Sequence, residues 1–368
     1  MEQRLPSAMQ DPMRWPRRLS VVALLLTFGM IVLGSYVRLS KAGLSCPSWP
    51  LCYGHVTPPH VPHADMAAQI VHAPAPVQDT TAREWKEMVH RYVAGTLGMT
   101  ILALLVATLR VRKRVAAAPV KLVVFTALWV VVQALLGMVT VTMLLDPLIV
   151  TGHLVGGMVM LASLLWLVFR CTHFMRLNKA DLQSASRMRG LRWWGLAALA
   201  VVCTQIFLGA WTSTNYAAWA CYGFPTCNGH WWPAGMNFDK AFVFWHRLGV
   251  DYQGGILDGG ARVAIQVVHR MGAMVTALVA GGLGIYLMLA GGVAKLRLLG
   301  GLLLASIALQ IALGVSMVSF GLPFYVEWAH TPGAALVLSA VLSVNFLLWS
   351  TRDAYVHSGV ALAHANLA

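Results

Sequence analysis

Eight apolar stretches, each long enough to cross a membrane as a helix, recur along the chain at about 19–39, 85–109, 119–143, 151–174, 192–212, 261–290, 297–318 and 328–350. A hydrocarbon core of roughly 30 Å takes about 20 apolar residues in a helix, since no water inside it can satisfy an open backbone. Repetition on this scale leaves one fold class, an all-α polytopic membrane protein. Only 11% of the residues are charged, against about 25% in an ordinary soluble domain.

The formal net charge of +14 would suit a nucleic-acid partner, but its distribution argues against one. With the N-terminus placed inside, 18 of the 27 Lys and Arg residues fall on the cytoplasmic side, among them Arg14, Arg17, Arg18, Arg110, Arg112, Lys113 and Arg114. The nine on the outer side are balanced by nine acidic residues. That is the positive-inside bias, which predicts cytoplasmic N- and C-termini and assigns the excess charge to topology and anionic lipid, not to nucleic acid. The first span follows Arg17-Arg18 as a secretory signal would. It is too long for a signal core and lacks a small-residue cleavage site, so it is expected to be retained. Glu2 and Asp11 are out of place in a mitochondrial transit peptide, which leaves a bacterial inner (cytoplasmic) membrane as the expected location of this multi-pass chain.

The chain repeats itself. Leu33-Gly34 at the end of the first span returns as Leu208-Gly209, an offset of 175 residues. At the same offset, Cys46-Pro-Ser-Trp-Pro-Leu-Cys52 returns as Cys221-Tyr-Gly-Phe-Pro-Thr-Cys227, and Gly54-His55 as Gly229-His230. His90-Arg91 matches His269-Arg270 at 179; Gln133…Gly137 matches Gln310…Gly314, and His153 matches His330, both at 177. A fixed long period implies duplication. Four spans per unit put both copies in the same orientation, so the expected architecture is two tandem parallel four-helix-bundle repeats. The division is 1–18 cytoplasmic, 19–174 N-terminal half, 175–191 cytoplasmic linker, 192–350 C-terminal half and 351–368 cytoplasmic tail.

His90, His153, His269 and His330 lie a turn or two into the even-numbered spans, all near the outer face. An ionisable residue at such a depth is costly, faces the bundle interior and has a partner. A lone one is most simply a hydrogen-bonded packing residue. Four at matched positions point to metal ligation, and two imidazoles per half suit haem iron better than zinc, which lacks a nearby third or fourth ligand here. Arg91 and Arg270 follow two of the ligands and are candidates for pairing with haem propionates or with lipid headgroups. The cysteines Cys46/Cys52 and Cys221/Cys227 lie outside, where disulfides persist, and their spacing favours two small disulfide rings over a soft-metal site.

The halves differ three residues before the histidine: Glu87 in the first, Gln266 in the second. That position shares a helix face with the ligand. A carboxylate on one side only suggests chemistry in the first half, with orientation of His90 as its alternative role.

With these residues assembled, nearly the whole chain resembles the haem A synthase family, which supplies haem A to cytochrome c oxidase. The resemblance rests on the duplicated eight-span plan, Glu87-x-x-His90-Arg91, the four histidines and the outer cysteine pairs. It implies a haem b cofactor held through His269 and His330, with Arg270 beside it. It implies haem O as substrate at His90, His153 and Arg91, and oxidation of one porphyrin methyl to a formyl by successive hydroxylations and loss of water from a gem-diol. Glu87 falls on the family's important carboxylate, as a proton carrier or a stabiliser of positive charge. Haem O synthase, oxidase assembly factors and an electron donor are the implied partners, with homo-oligomerisation left open. The alternative on the residues alone is a dihaem bis-histidine cytochrome that moves electrons from quinol.

Overall fold

The computed structural model describes residues 11–58, 80–172, 174–175, 190–245, 247, 249–290 and 292–365. Most of the expected linker, residues 176–189, and residues 1–10 of the N-terminal segment lie outside them. Among the described residues the named elements are all helices. Eight have the length and composition to cross a membrane, and the chain is a multi-pass membrane protein.

These are α1 (Arg14–Leu39), α2 (Thr80–Val111), α3 (Val120–Thr142), α4 (Pro147–Cys171) and α5 (Leu191–Thr214). After them come α6, running from Gly259 to Ala290, then α7 (Ala294–Ser319) and α8 (Phe324–Ala365). Each expected span has its helix, with ends agreeing to about five residues, except that α8 continues well past 350. All the starts but that of α3 come earlier than hydropathy places them, because polar residues build helix ends. Asp146 caps α4, accepting from the Leu148 and Ile149 amides at 2.9 and 3.3 Å, and Pro147 takes the first-turn position where its missing N–H costs nothing. Asp258 caps α6 through the Ala261 amide at 2.8 Å.

One irregularity escapes hydropathy altogether: α6 carries a π-helical stretch at Ala277–Gly281. A π-bulge breaks the regular ladder, and there the Val279 carbonyl accepts from Trp194 Nε1 on α5 at 2.9 Å. Just beyond it, Gly284 and Gly300 bring α6 and α7 together so closely that a Cβ on Gly300 would stand 2.8 Å from the Gly284 carbonyl. Between apolar helices in lipid, packing and not solvent exclusion drives association, so small residues set the approach.

The helices are not equally buried. In α8, 72% of the spanning window is buried, against 11% in α3. α8 packs against α1, α4, α5 and α7, and its Ala335, Leu338, Val341 and Leu347 sit in the main core with Leu161 of α4, Val202 of α5 and Leu303 of α7. Polar contacts also cross between the first four helices and the last four. Arg38 at the end of α1 donates to Ser213 Oγ at 2.6 Å and to the Ser213 carbonyl; Thr151 meets Thr214 at 3.0 Å; and Trp328 Nε1 reaches the Val32 carbonyl at 2.8 Å.

Candidate functional site

The four histidines sit on α2 (His90), α4 (His153), α6 (His269) and α8 (His330), each within the first half of its helix. Each ring lies against a glycine of the preceding helix. A Cβ on Gly34 or Gly209 would stand 3.1 Å from the Cε1 of His90 or His269, one on Gly137 3.4 Å from that of His153, and one on Gly314 3.2 Å from that of His330. The rings fall into two sets, His90 within electrostatic range of His153 and His269 within range of His330.

Nδ1 of His90, His153 and His330 is buried with no hydrogen-bond partner. A buried polar atom left without a partner is uncommon and calls for an explanation. Paired imidazoles seated on glycine, three of the four with a buried ring nitrogen to spare, fit a haem, whose iron they would hold while the porphyrin supplies its remaining ligands. Among the described residues no three His, Cys, Asp or Glu side chains converge as a bare metal ion would require.

Above each set lies a disulfide loop. Cys46 is bonded to Cys52 and Cys221 to Cys227, as expected. Both loops end in the same tight turn. The Cys52 amide donates to the His55 carbonyl at 2.9 Å and the His55 amide donates back; Cys227 and His230 do likewise. The intervening Tyr53-Gly54 and Asn228-Gly229 have φ of 51° and 79°, and 53° and 83°. Two consecutive left-handed residues of this kind favour glycine.

An arginine fastens each loop to its helix. Arg91 Nη1 donates to the Ser48 and Leu51 carbonyls at 2.7 and 2.8 Å, and Nη2 to the Cys46 carbonyl at 2.9 Å. Arg270 holds the Thr226 and Cys221 carbonyls at 2.9 and 3.2 Å. This is a role the sequence did not suggest for either residue, since backbone carbonyls leave no mark on side-chain identity.

The loops part company at the carboxylate. Glu87 accepts from the Cys46 amide at 2.9 Å through Oε2 and pairs with Arg91 Nη2 at 2.6 Å through Oε1. Gln266, at the matching place on α6, is also buried, and its Oε1 has no partner among the described residues. A second difference went unread. Glu84, one turn before Glu87, is buried beside the first disulfide, whereas the matching Val263 packs on the second. Burial, and then the Glu84 and Glu87 carboxylates, push the Tyr53 phenol up from its ordinary value, so the ring stays neutral next to that loop. Glu84 was legible only as a polar residue in a helix start.

Comparison with known proteins places this geometry. The sequence model of the COX15-CtaA family, described as a cytochrome oxidase assembly protein, matches residues 17–342. A haem A synthase of Shewanella oneidensis is 38% identical over 335 residues, 91% of this chain and 96% of its own. Haem A synthases of Rhizorhabdus wittichii and Shouchella clausii are 23% and 24% identical, over 86% and 71% of this chain and 89% and 72% of theirs.

Proposed function

The chain belongs to the COX15-CtaA family of cytochrome oxidase assembly proteins, and from that membership we propose how its two histidine pairs divide the work. The enzyme is a haem A synthase, which oxidises haem O to haem A in the membrane. Its relatives are synthases, and the reading as an electron-transfer cytochrome finds no support among them.

The substrate haem O is held between His90 and His153 in the N-terminal half, and a resident haem b between His269 and His330 in the C-terminal half. The observation that carries this division is the Glu87–Arg91 pair, which stands beside His90 and has no counterpart at His269. When bound, the resident haem supplies one-electron transfer. The substrate methyl becomes a formyl by two hydroxylations, each a two-electron oxidation at the expense of an external oxidant such as dioxygen, and loss of water from the gem-diol, so electron density is withdrawn from the substrate in each. Both Glu87 oxygens are occupied by N–H donors, and a carboxylate in that state accepts only. It is thereby fitted to be a fixed negative charge facing an electron-poor substrate, more than a carrier that picks up and passes protons. A preorganised charge of this kind needs no rearrangement at the moment of reaction. Arg91 keeps the carboxylate aimed and holds the loop over it.

The duplicated plan is supported by bonds that recur at the repeat offsets. Arg17 Nε donates to the Cys171 carbonyl at 3.1 Å, and Arg192 Nε, 175 residues on, donates to the Leu348 carbonyl at 2.9 Å. The two termini face the cytoplasm of a bacterial inner membrane. A haem O synthase would deliver substrate from within the bilayer, with an electron donor and oxidase assembly factors completing the partners.

Acid extraction of haem from the purified protein, coexpressed with a haem O source, tests this reading. Wild type should yield haem B with haem O or A, and Glu87→Ala should accumulate haem O or a hydroxylated intermediate. Unmodified haem B alone, two per chain in both proteins, would sink the reading.

A further inference from the structure

Three of the four histidines share a feature that the fourth lacks. Gln205 on α5 lays its amide against α6, with Nε2 3.1 Å from His269 Nδ1 and 3.1 Å from the His269 carbonyl. Gln310 on α7 lies likewise at His330, though against the other ring nitrogen, with its Nε2 3.2 Å from His330 Nε2 and 3.0 Å from the carbonyl. Each amide lies where the side chain three residues after the histidine would stand. That residue is Gly272 or Gly333, and a Cβ there would overlap the amide. Gln133 packs in the same place beside His153, against Gly156, but its Nε2 makes no hydrogen bond among the described residues.

The sequence rule is Gln-x-x-x-Gly on one helix and His-x-x-Gly on the next. The glycine of the first makes room for the ring, and the glycine of the second for the amide. At His90 half of the rule is broken. Gly34 is kept against the ring, but the glutamine position is Met30 and the second glycine is Val93. A thioether is a weak acceptor and no donor, and a β-branched side chain stands where the amide would need space.

We infer that Gln205 and Gln310 are positioning residues that lock the imidazoles of the resident site, and that His90, without such a lock, is the exchangeable ligand by which substrate haem enters and product haem leaves. This rests on the reading of the four histidines as haem ligands. The imidazole torsion is broad, so a ring nitrogen faces iron reliably only when something else fixes the ring. In each case the amide nitrogen donates, to the histidine carbonyl and to the ring nitrogen beside it, and the carbonyl bond keeps the amide in place. Partners of this kind are worth about 10- to 100-fold in metal affinity. A cofactor that stays for the life of the enzyme gains from that grip. A substrate that must depart after each turnover, with the same iron and the same ligands, would be delayed by it.

The test uses the full-length protein in detergent, loaded with ferric haem B, with haem transfer to excess apomyoglobin followed by absorbance. Wild type should release haem in a fast and a slow phase. Met30→Gln with Val93→Gly should slow the fast phase by about 10-fold or more and spare the slow one. Gln205→Met with Gly272→Val should speed the slow phase by a similar factor and shift the low-spin ferric resonance of that site. Gln205→Glu, which has no N–H for the ring or for the His269 carbonyl, should leave the slow phase fast. Should a double exchange fail to fold, Gln205→Leu and Gln310→Leu carry the same expectation for the slow phase. Phases that none of these changes moves, in protein that keeps both low-spin signals, would overturn the inference. His90→Ala and His269→Ala test the ligand reading separately: if neither removes a low-spin signal, that reading fails first.

Discussion

Glu87 and Arg91 lie one turn apart on α2 and form an ion pair of 2.6 Å, with side chains only 6% and 11% exposed. The same guanidinium holds four carbonyls of the Cys46–Cys52 loop, so the charge beside His90 and the loop that covers it share one fastening. On α6 the matching arginine holds its loop without a charged partner among the described residues.

Arg91→Ala should therefore destabilise more than Arg270→Ala. Removing one member of a buried pair strands the other, at about 3–5 kcal/mol, whereas loss of hydrogen bonds from a charged donor to neutral carbonyls costs about 1.5–3 kcal/mol. Thermal unfolding in detergent measures both. An equal drop in the two variants would mean that Glu87 gains nothing from Arg91.

Opening either disulfide should cost roughly 2 kcal/mol for so short a ring, but the functional consequences should differ. The Cys46 amide orients Glu87, so Cys46→Ser with Cys52→Ser should reduce haem A formation beyond what lost stability explains. Cys221→Ser with Cys227→Ser should reduce stability alone. Haem A yield per folded enzyme separates the two effects, and equal yields would contradict the orienting role.

The glycines against the rings give a site-selective perturbation. Gly209→Val should displace His269 and empty the C-terminal site, and Gly34→Val should do the same at His90 only. Gly29→Ala meets nothing within 4 Å and serves as the control. It should be neutral or stabilising by up to about 1 kcal/mol. Haem stoichiometry by pyridine haemochrome reports all three; loss of both haems from either valine variant would show that the sites are not independent.

Asp258 supplies a prediction for acid. Its hydrogen bond from the Ala261 amide, followed by Lys240, holds the carboxyl below its ordinary value. A lowered folded-state value means that its stabilisation is complete above the unfolded value, near 4, and fades as pH falls through the folded one. Wild type should thus exceed Asp258→Ala in melting temperature at neutral pH and converge with it in acid. A constant gap down to the most acidic pH would rule out the cap as its source.

Much of the architecture was legible because lipid demands it. Eight runs of apolar residues mean eight helices, and the matched cysteine pairs of the loops are disulfides. The histidines stood out because an imidazole in such a run is costly. What stayed hidden depends on pairs of helices. The glutamine–glycine fit beside His269 and His330 needs two helices in register, and Gln310 read alone is only a polar residue in an apolar run. Arg38 read as an outer-face charge, yet it is spent on Ser213 of the opposite half. Arg91 was expected to meet propionates or headgroups, and its donors meet loop carbonyls, which any sequence would offer. The start of α2 hid Glu84 for the converse reason, since a polar helix end looks exposed until something covers it.

The deep burial of α8 bears on how the molecule is made. A ribosome delivers the spans in order, and the helix that α1, α4, α5 and α7 all pack against emerges after every one of them. Until then those four must wait with their inward faces against lipid or a chaperone, unable to settle. The bundle closes around its centre only once α8 has been made, and a nascent chain stopped before it would be left with its walls and no middle.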